Sequence, residues 1–428
     1  MINQSWPCRP LGELFEIGAG KTMSAAARAG DHKTPFLRTS NVLWDEIDLT
    51  AVDEMSIPAH ELAEKRLRPG DLLVCEGGEI GRAAIWNGEI EVVSFQNHLH
   101  RLRPILSDVE ARFYVYFLQA GFTQLGIFEG AGNKTTIPNL SRNRLAALYV
   151  PHPGIDEQRD IVRALSRIQE AMKVHDQSTI MARHLKGAAM RALFTRGLRG
   201  EVQKETEIGI LPEGWRPRSI SNLCKIWSGG TPRKSVPEYW IGLVPWVSGK
   251  DLKAPTLHDA IDHVSEAAVE AGSRLAPADA VLILVRGMGL AKDLPVALIS
   301  RPMAFNQDIK ALVSRGDFSG SFIRSAIYSG KERLLSRIVP SAHGTMTLNL
   351  DDIETFKIPC PRDREEADEI VAILDAIDRK IDLHKRKRSV LDELFKALLH
   401  KLMTGKIRVA DLDISALNRT APVAEVAA

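Results

Sequence analysis

The sequence predicts an α+β protein built twice, with a β-rich globular domain followed by a long helix and then the same pair again. Three observations predict it. Residues 161–195 carry no proline and place apolar side chains at Ile161, Leu165, Ile168 and Met172, spaced 4, 3 and 4. That spacing keeps them on one stripe of a helix. Adding 209 to each number gives Ile370, Leu374, Ile377 and Ile381, and the match continues at His175/His384, Leu185/Leu394 and Leu193/Leu402. Turn and strand motifs upstream repeat at almost the same offset. Two such stripes in one chain predict two long helices that bury their apolar sides against each other.

Taken in order, residues 1–153 read as short apolar runs separated by turns. Leu72–Cys75 follows Pro69-Gly70-Asp71, and Glu91–Phe95 follows Asn87-Gly88, a strong hairpin signal. An aromatic and aliphatic stripe predicts a helix over Asp108–Ala120. Pro151-His152-Pro153 closes the domain, because proline ends an extended run and cannot continue a helix. A helical spacer follows over residues 154–200, its long helix over 155–196, with Asp156 and Glu157 in the first turn, where negative charge suits the helix dipole. Gly187 marks a kink or a close helix–helix approach. The domain then begins again over residues 201–361. Leu67–Asp71 finds Leu275–Asp279, Ser94-Phe95-Gln96-Asn97 finds Ala304-Phe305-Asn306-Gln307, and Val150–Pro153 finds Ile358–Pro361. The second helical stretch occupies 362–408, opening on Asp363 and Glu366 at capping-box spacing. Residues 409–428 are alanine-rich and aperiodic, which predicts a disordered tail.

The bulk composition excludes several classes. A chain of 428 residues holds more than one core, since single cores rarely exceed about 250–300 residues. A net charge of +2 is too mild to mark a nucleic-acid binder by itself, so an anionic partner must be met by local patches. The cysteines (Cys8, Cys75, Cys224, Cys360) are scattered, which fits a reducing compartment and no zinc or disulfide framework. The start of the chain lacks a signal-peptide pattern, and no apolar run approaches the ~18 residues of a membrane span. The expected location is the cytoplasm.

Enzyme chemistry finds little support. Phe128-Glu129-Gly130-Ala131-Gly132 matches a loop with which methyltransferases hold S-adenosylmethionine. It leads into Asn133-Lys134-Thr135-Thr136-Ile137-Pro138, however, which cannot open a helix as such a loop requires. No glutamate has lysine two positions later, as a nuclease of the Glu-x-Lys type would need. Asp351-Asp352 reads as a turn or helix cap. His175 and His384 hold matching seam positions, where a polar residue more often sets register than binds metal. No catalytic residue and no metal site is expected.

Two readers held apart by rigid helices fit the geometry of split DNA sites. A helix of ~40 residues is about 60 Å long, and half-sites on one face of B-DNA lie about 34–36 Å apart per turn. Here the residues reach a family. Ser228-Gly229-Gly230-Thr231-Pro232, Tyr239-Trp240, Val244-Pro245-Trp246-Val247 and Lys250-Asp251-Leu252 resemble the start of a target recognition domain. So do Arg286-Gly287-Met288-Gly289, Ala304–Gln307, and Ile155-Asp156-Glu157-Gln158 opening a long helix. The family is the specificity subunits of type I restriction–modification systems, and the resemblance covers residues 1–408. The sequence departs from the pattern at Gly18-Ala19-Gly20-Lys21-Thr22, at the reversed amide pair Gln96-Asn97, and at Ala367 where the first helix has Gln158.

The resemblance implies two α/β target recognition domains in pseudo-twofold repeat, separated by two antiparallel, coiled-coil-like helices. Each domain would read one half of a bipartite site in double-stranded DNA. The helices would set the gap and dock two methyltransferase subunits, and a motor-nuclease subunit would join for cleavage. S-adenosylmethionine, ATP and magnesium would sit on those partners and none on this chain. A helical scaffold whose domains bind protein is the alternative.

Residues shared by both domains cannot explain two different half-sites, so sequence reading should lie where the copies differ. Glycine-bounded loops with basic or polar side chains are the best places, because glycine lets the backbone approach phosphate closely and Arg or Lys grips phosphate or guanine. In the first domain these are Lys21, Thr22, Arg38, Thr39, Ser40, Asn41, Arg82, Asn133 and Lys134. In the second they are Thr231, Arg233, Lys234, Ser248, Lys250, Arg286, Lys292 and His343. Gln96, Asn97, Asn306 and Gln307 could read adenine or satisfy loop backbone. The expected seam and docking residues are the two stripes above with Leu185, Leu391, Leu394 and Leu398.

Overall fold

The computed structural model describes residues 6–31, 33–126, 140–340 and 344–412. They divide into two compact units, Met1–Gln177 with Lys385–Ala428, and Ser178–His384. Each long helix is therefore shared, its first part belonging to one unit and its second part to the other.

Unit 1 is centred on an antiparallel sheet of four strands in the order Phe15–Ala19, Leu99–Pro104, Leu72–Cys75 and Ala83–Ile85. The turn before Leu72 works as the sequence requires. Gly70 takes a φ of +89°, and the Asp71 carboxylate accepts from the Arg68 backbone N–H at 2.7 Å. The same carboxylate receives Nε and Nη2 of Arg103, both at 2.8 Å, which locks two neighbouring strands. A second sheet pairs Lys33–Leu37 antiparallel to Asp53–Ser56 and parallel to Ser94–Phe95. The strand after Asn87-Gly88 is thus only Ser94–Phe95, and it joins this sheet instead of closing a hairpin on Ala83–Ile85. Gly88 does turn the chain, at φ +95°, but its turn rests on Pro69 and sends the chain elsewhere.

The helix expected over Asp108–Ala120 spans Ala111–Thr123, three residues later than the pattern implied. Its buried Phe113, Tyr114, Tyr116 and Phe117 join Ile161, Leu165 and Ile168 of the first long helix and Phe395, Leu398 and Leu402 of the second in one core. His152 ties the domain's close to this helix, its Nδ1 2.8 Å from the Tyr114 hydroxyl and its Nε2 3.2 Å from Asp108.

Unit 2 repeats the plan. Its five-stranded sheet runs Cys224–Ser228, Ile309–Ser314, Val281–Leu284, Val296–Ile299, Thr256–Leu257. The second sheet again contains a parallel pair, Trp246-Val247 against Ala304-Phe305. The helix Gly320–Ser329 replaces Ala111–Thr123, capped by the Ser319 hydroxyl on the Phe322 N–H. The registers repeat as well. His100 faces Ala19 and Val74 in unit 1, and Lys310 faces Ser228 and Ile283 in unit 2.

The long helices span Ile155–Arg196 and Arg364–Met403, pack together and run antiparallel. In unit 1 Arg388 Nε meets Asp176 at 3.5 Å, and in unit 2 Lys186 Nζ meets Asp378 at 2.6 Å. Most of the expected seam is buried or half-buried, including Met172, Ile377 and Leu391. As seam residues Leu185 and Leu394 are corrections, at 56% and 39% exposed. The buried stripe steps through Ala182 and Phe194 on the first helix and Phe395 and Leu398 on the second, which leaves positions 185 and 394 on the flank. Gly187 marks no close approach, since a Cβ there would meet only Arg191 at 3.7 Å. Gln158 is fully buried, donating to Asp108 O and Pro153 O and accepting from Glu110 N. At the second helix Ala367 fills the matching position with a buried methyl. Half of the expected capping box forms there. Asp363 caps the Glu366 N–H at 2.9 Å, while the Glu366 carboxylate turns to Trp215 Nε1 at 3.1 Å. The tail expected from residue 409 is corrected at its start, since Val409–Asp411 form a 3-10 turn and Val409 and Leu412 pack on the unit 1 core. Residues 413–428 lie outside the described residues, as do Phe128–Gly132.

Candidate nucleic-acid interface

In each unit a glycine presses a loop onto the strand that ends in the amide pair. A Cβ on Gly20 would meet Phe95 O at 2.3 Å, and one on Gly229 would meet Phe305 O and Asn306 O at 2.3 Å. Real Cβ atoms do not approach so closely, so glycine is required at both places. The second glycine answers a need of unit 2 alone, where a Cβ on Gly230 would meet Gly272 O at 1.9 Å, whereas unit 1 carries Lys21 at that place. The next residue docks in both units, through Lys21 N on Phe95 O (2.8 Å) and Gly230 N on Phe305 O (2.9 Å).

The amide pairs differ in availability. Asn306 is buried and its Oδ1 accepts from Asp308 N at 3.1 Å, so it serves the loop. Gln307 is exposed and accepts from the Thr231 hydroxyl. Gln96 and Asn97 are half-buried.

The basic candidates of unit 1 that fall among the described residues are paired within the unit. Lys21 Nζ lies 2.6 Å from Glu61, Arg38 pairs with Asp53, and Arg82 lies 2.6 Å from Glu79. Asn41 is a correction. It is buried, its amide donates to Asp48 O and Ala51 O and its Oδ1 accepts from Arg38 N, so three of its hydrogen-bonding sites serve the loop and burial closes it to a ligand. Thr39 is half-buried; Ser40 is exposed.

In unit 2 Lys250 pairs with Asp262 at 2.7 Å, and Ser248 is spent on Asp251. Arg233, Lys234, Arg286 and Lys292 are exposed and make no ion pair among the described residues. Asn133, Lys134 and His343 lie outside the described residues.

Two basic features of unit 2 were missed by the sequence reading. Lys310 is half-buried in the sheet and its Nζ donates to Ser228 Oγ at 2.7 Å. Arg274 stands 5.3 Å over the Trp227 ring. The signal for Lys310 was present, since at the repeat offset of 210 it corresponds to His100, a change of chemistry inside otherwise matching strands.

The helices contribute a second matched feature. Unit 1 holds a cavity of about 650 Å³ walled on the second long helix by Arg388 and by Asp392, Phe395, Lys396 and Leu399. Unit 2 holds one of about 490 Å³ walled on the first long helix by Arg183, Lys186, Gly187 and Met190, the same four positions less 209. The remaining lining residues differ in identity, and each wall mixes charge with apolar surface: Asp45, Arg112 and Trp44 in the first, Arg324, Asp293 and Leu252 in the second.

Among the described residues no group of three His, Cys, Asp or Glu could hold a metal, and no helix is long and apolar enough to cross a membrane. Burial pushes the thiols of Cys75, Cys224 and Cys360 up to about 12.

The pattern of the family described as Type I restriction modification DNA specificity domain matches residues 3–180 and 212–393, once over each repeat. The chain belongs to this family. It is 26% identical over 418 residues to a candidate specificity subunit, MjaX, of a type I restriction enzyme from Methanocaldococcus jannaschii, covering 95% of both chains. It is 29% identical over 255 residues to the EcoR124I/EcoR124II specificity subunit of Escherichia coli, covering 58% of this chain and 59% of that one. Among solved structures, the S subunit of a type I restriction–modification system from M. genitalium has the same fold. Its TM-score is 0.57 at 16% identity, over 94% of this chain and 96% of that one.

Proposed function

We propose that this chain is the DNA-specificity subunit of a type I restriction–modification complex, with each globular domain reading one half of a bipartite sequence. The observation that carries it is the double match of the DNA specificity pattern, one span over each repeat, on two units whose central sheets share strand order and register. The unpaired cations of unit 2 supply the electrostatic side of DNA binding. The scaffold alternative has no comparable support.

The chain does no chemistry of its own. Two copies of a methyltransferase subunit dock along the helices, and a motor-nuclease subunit joins for cleavage. The matched cavities support two copies of one partner, because positions 183, 186, 187 and 190 repeat at 392, 395, 396 and 399. S-adenosylmethionine, ATP and magnesium belong to those partners, and the complex works in the cytoplasm. The helices set the gap between the half-sites.

Mapping methylated adenines in a host that carries this chain and its partner subunits tests the reading. The expected motif has two parts and a constant gap. A continuous palindrome, or no modification that depends on this chain, overturns it.

A further inference from the structure

Lys310 and Arg286 are two cations held close together in unit 2 with little to neutralise them. Lys310 sits on the strand Ile309–Ser314, facing Ser228 on one side and Ile283 on the other. Its stem is half-buried and its ammonium is steered by Ser228 Oγ at 2.7 Å. Arg286 follows the strand Val281–Leu284, bridges Thr347, and has no ion pair among the described residues. Burial, and then the charge of Arg286, hold the Lys310 ammonium below its ordinary value, and Asp308 offsets only part of this. Thr347 Oγ1 beside Arg286 is buried without a hydrogen-bond partner. Like charges repel, so a pair positioned this way calls for an acceptor between or above them.

The repeat says what kind of acceptor. His100 occupies the same register position in unit 1, buried, with Nε2 2.9 Å from Leu140 O. The flanking strands match in both units, so the fold does not dictate this side chain. A position that is geometrically equivalent and chemically different is where two readers of different half-sites can diverge. A long, freely rotating lysine discriminates poorly, but one sunk in the sheet and held by a hydroxyl presents its N–H groups in a defined direction.

We propose that Lys310 is a specificity-determining residue of unit 2, donating to the acceptor edge of a base, such as guanine O6 and N7, while Arg286 grips the adjoining phosphate. This rests on the DNA reading above and is separable from it. The test maps methylated motifs in a host carrying the partner subunits with wild-type chain, Lys310→Met, Lys310→His and Arg286→Gln. Binding of the assembled complexes to duplexes altered at single positions is measured alongside.

Both Lys310 variants are expected to relax or change one position in one half of the motif and leave the other half intact. Discrimination at that position should fall about tenfold to a hundredfold. Arg286→Gln should weaken all duplexes alike and lower the salt slope by about 1 without changing the motif. Thermal unfolding checks that the variants fold, and Lys310→Gln replaces them if they do not, with the same expectation. An unchanged motif and unchanged discrimination in a folded Lys310 variant overturn the proposal, as does a change in both halves. If the wild-type chain itself directs no two-part motif, the DNA reading falls first.

Discussion

In unit 1 three cations of the glycine-bounded loops turn back onto carboxylates, Lys21 to Glu61, Arg38 to Asp53 and Arg82 to Glu79. In unit 2 the loops of the same sheets leave Arg233, Lys234, Arg286 and Lys292 without an ion pair among the described residues. The strands beneath correspond position by position. Duplication has therefore kept the part whose cost of change is high, the buried register, and diverged where a side chain can be exchanged without moving its neighbours. A free cation attracts DNA at long range, whereas one already paired has to give up its partner first. The two domains should then contribute unequally to the salt-dependent part of binding.

That inequality is the largest effect to look for. Changing Arg233, Lys234 and Lys292 together to glutamine should lower the slope of log affinity against log salt by up to about 2.7, at about 0.9 per phosphate contact. The matching triple change of Lys21, Arg38 and Arg82 should move it by less than about 1. Titrating duplex DNA with the assembled complex at several salt concentrations gives both numbers. Equal slopes for the two triples would show that the unit 1 pairs open on binding and that the contrast belongs to the free protein alone.

The opposite outcome is expected beneath the loops, where the units should respond alike. Gly20→Ala and Gly229→Ala each drive a methyl to within 2.3 Å of strand carbonyls. Backbone cannot give way as a flexible side chain can, so each should cost about 1–3 kcal/mol. Urea unfolding of the single variants measures this. A large loss for one glycine and none for the other would mean that the two loops dock differently.

How much of this was legible in the sequence follows the same division. The long helices, the constant offset and the strand Leu72–Cys75 were readable because apolar periodicity and turn residues act locally. The Asn87-Gly88 hairpin failed because a turn signal specifies a reversal and says nothing of which sheet the next strand joins. Leu185 and Leu394 were misplaced because a stripe over some forty residues drifts, and a 4–3 count cannot tell a seam from its flank. The pairing of Lys21 with Glu61 spans 40 residues of sequence, and no local pattern announces such a contact. Asn41 looked like a ligand for the reason that makes it a good loop anchor, its four hydrogen-bonding sites. Lys310 could have been found by aligning the copies strand by strand and asking where chemistry changes inside an unchanged frame.

The smallest expected effect lies at Asp45, which has no carboxylate counterpart in unit 2, where Ala254 stands at the repeat offset of 209. Asp45 lines the unit 1 cavity in the left-handed region at φ +54°, its Oδ2 accepting from the Tyr116 hydroxyl at 2.9 Å. Burial raises its pKa above the ordinary aspartate value, with the nearby Arg112 guanidinium as the largest opposing influence. A carboxyl whose folded pKa is raised favours the folded state while both states are protonated. That benefit is lost as pH rises from the ordinary aspartate value, about 4, through the raised folded value. Asp45→Asn removes the charge, keeps an acceptor for Tyr116 and suits the left-handed backbone. Its thermal midpoint should therefore exceed that of the wild type slightly at neutral pH, and the gain should fade towards pH 4. A gain that grew on acidification would mean that the ion pair with Arg112 outweighs the burial of the carboxylate. Asp45 would then stabilise unit 1 instead of straining it.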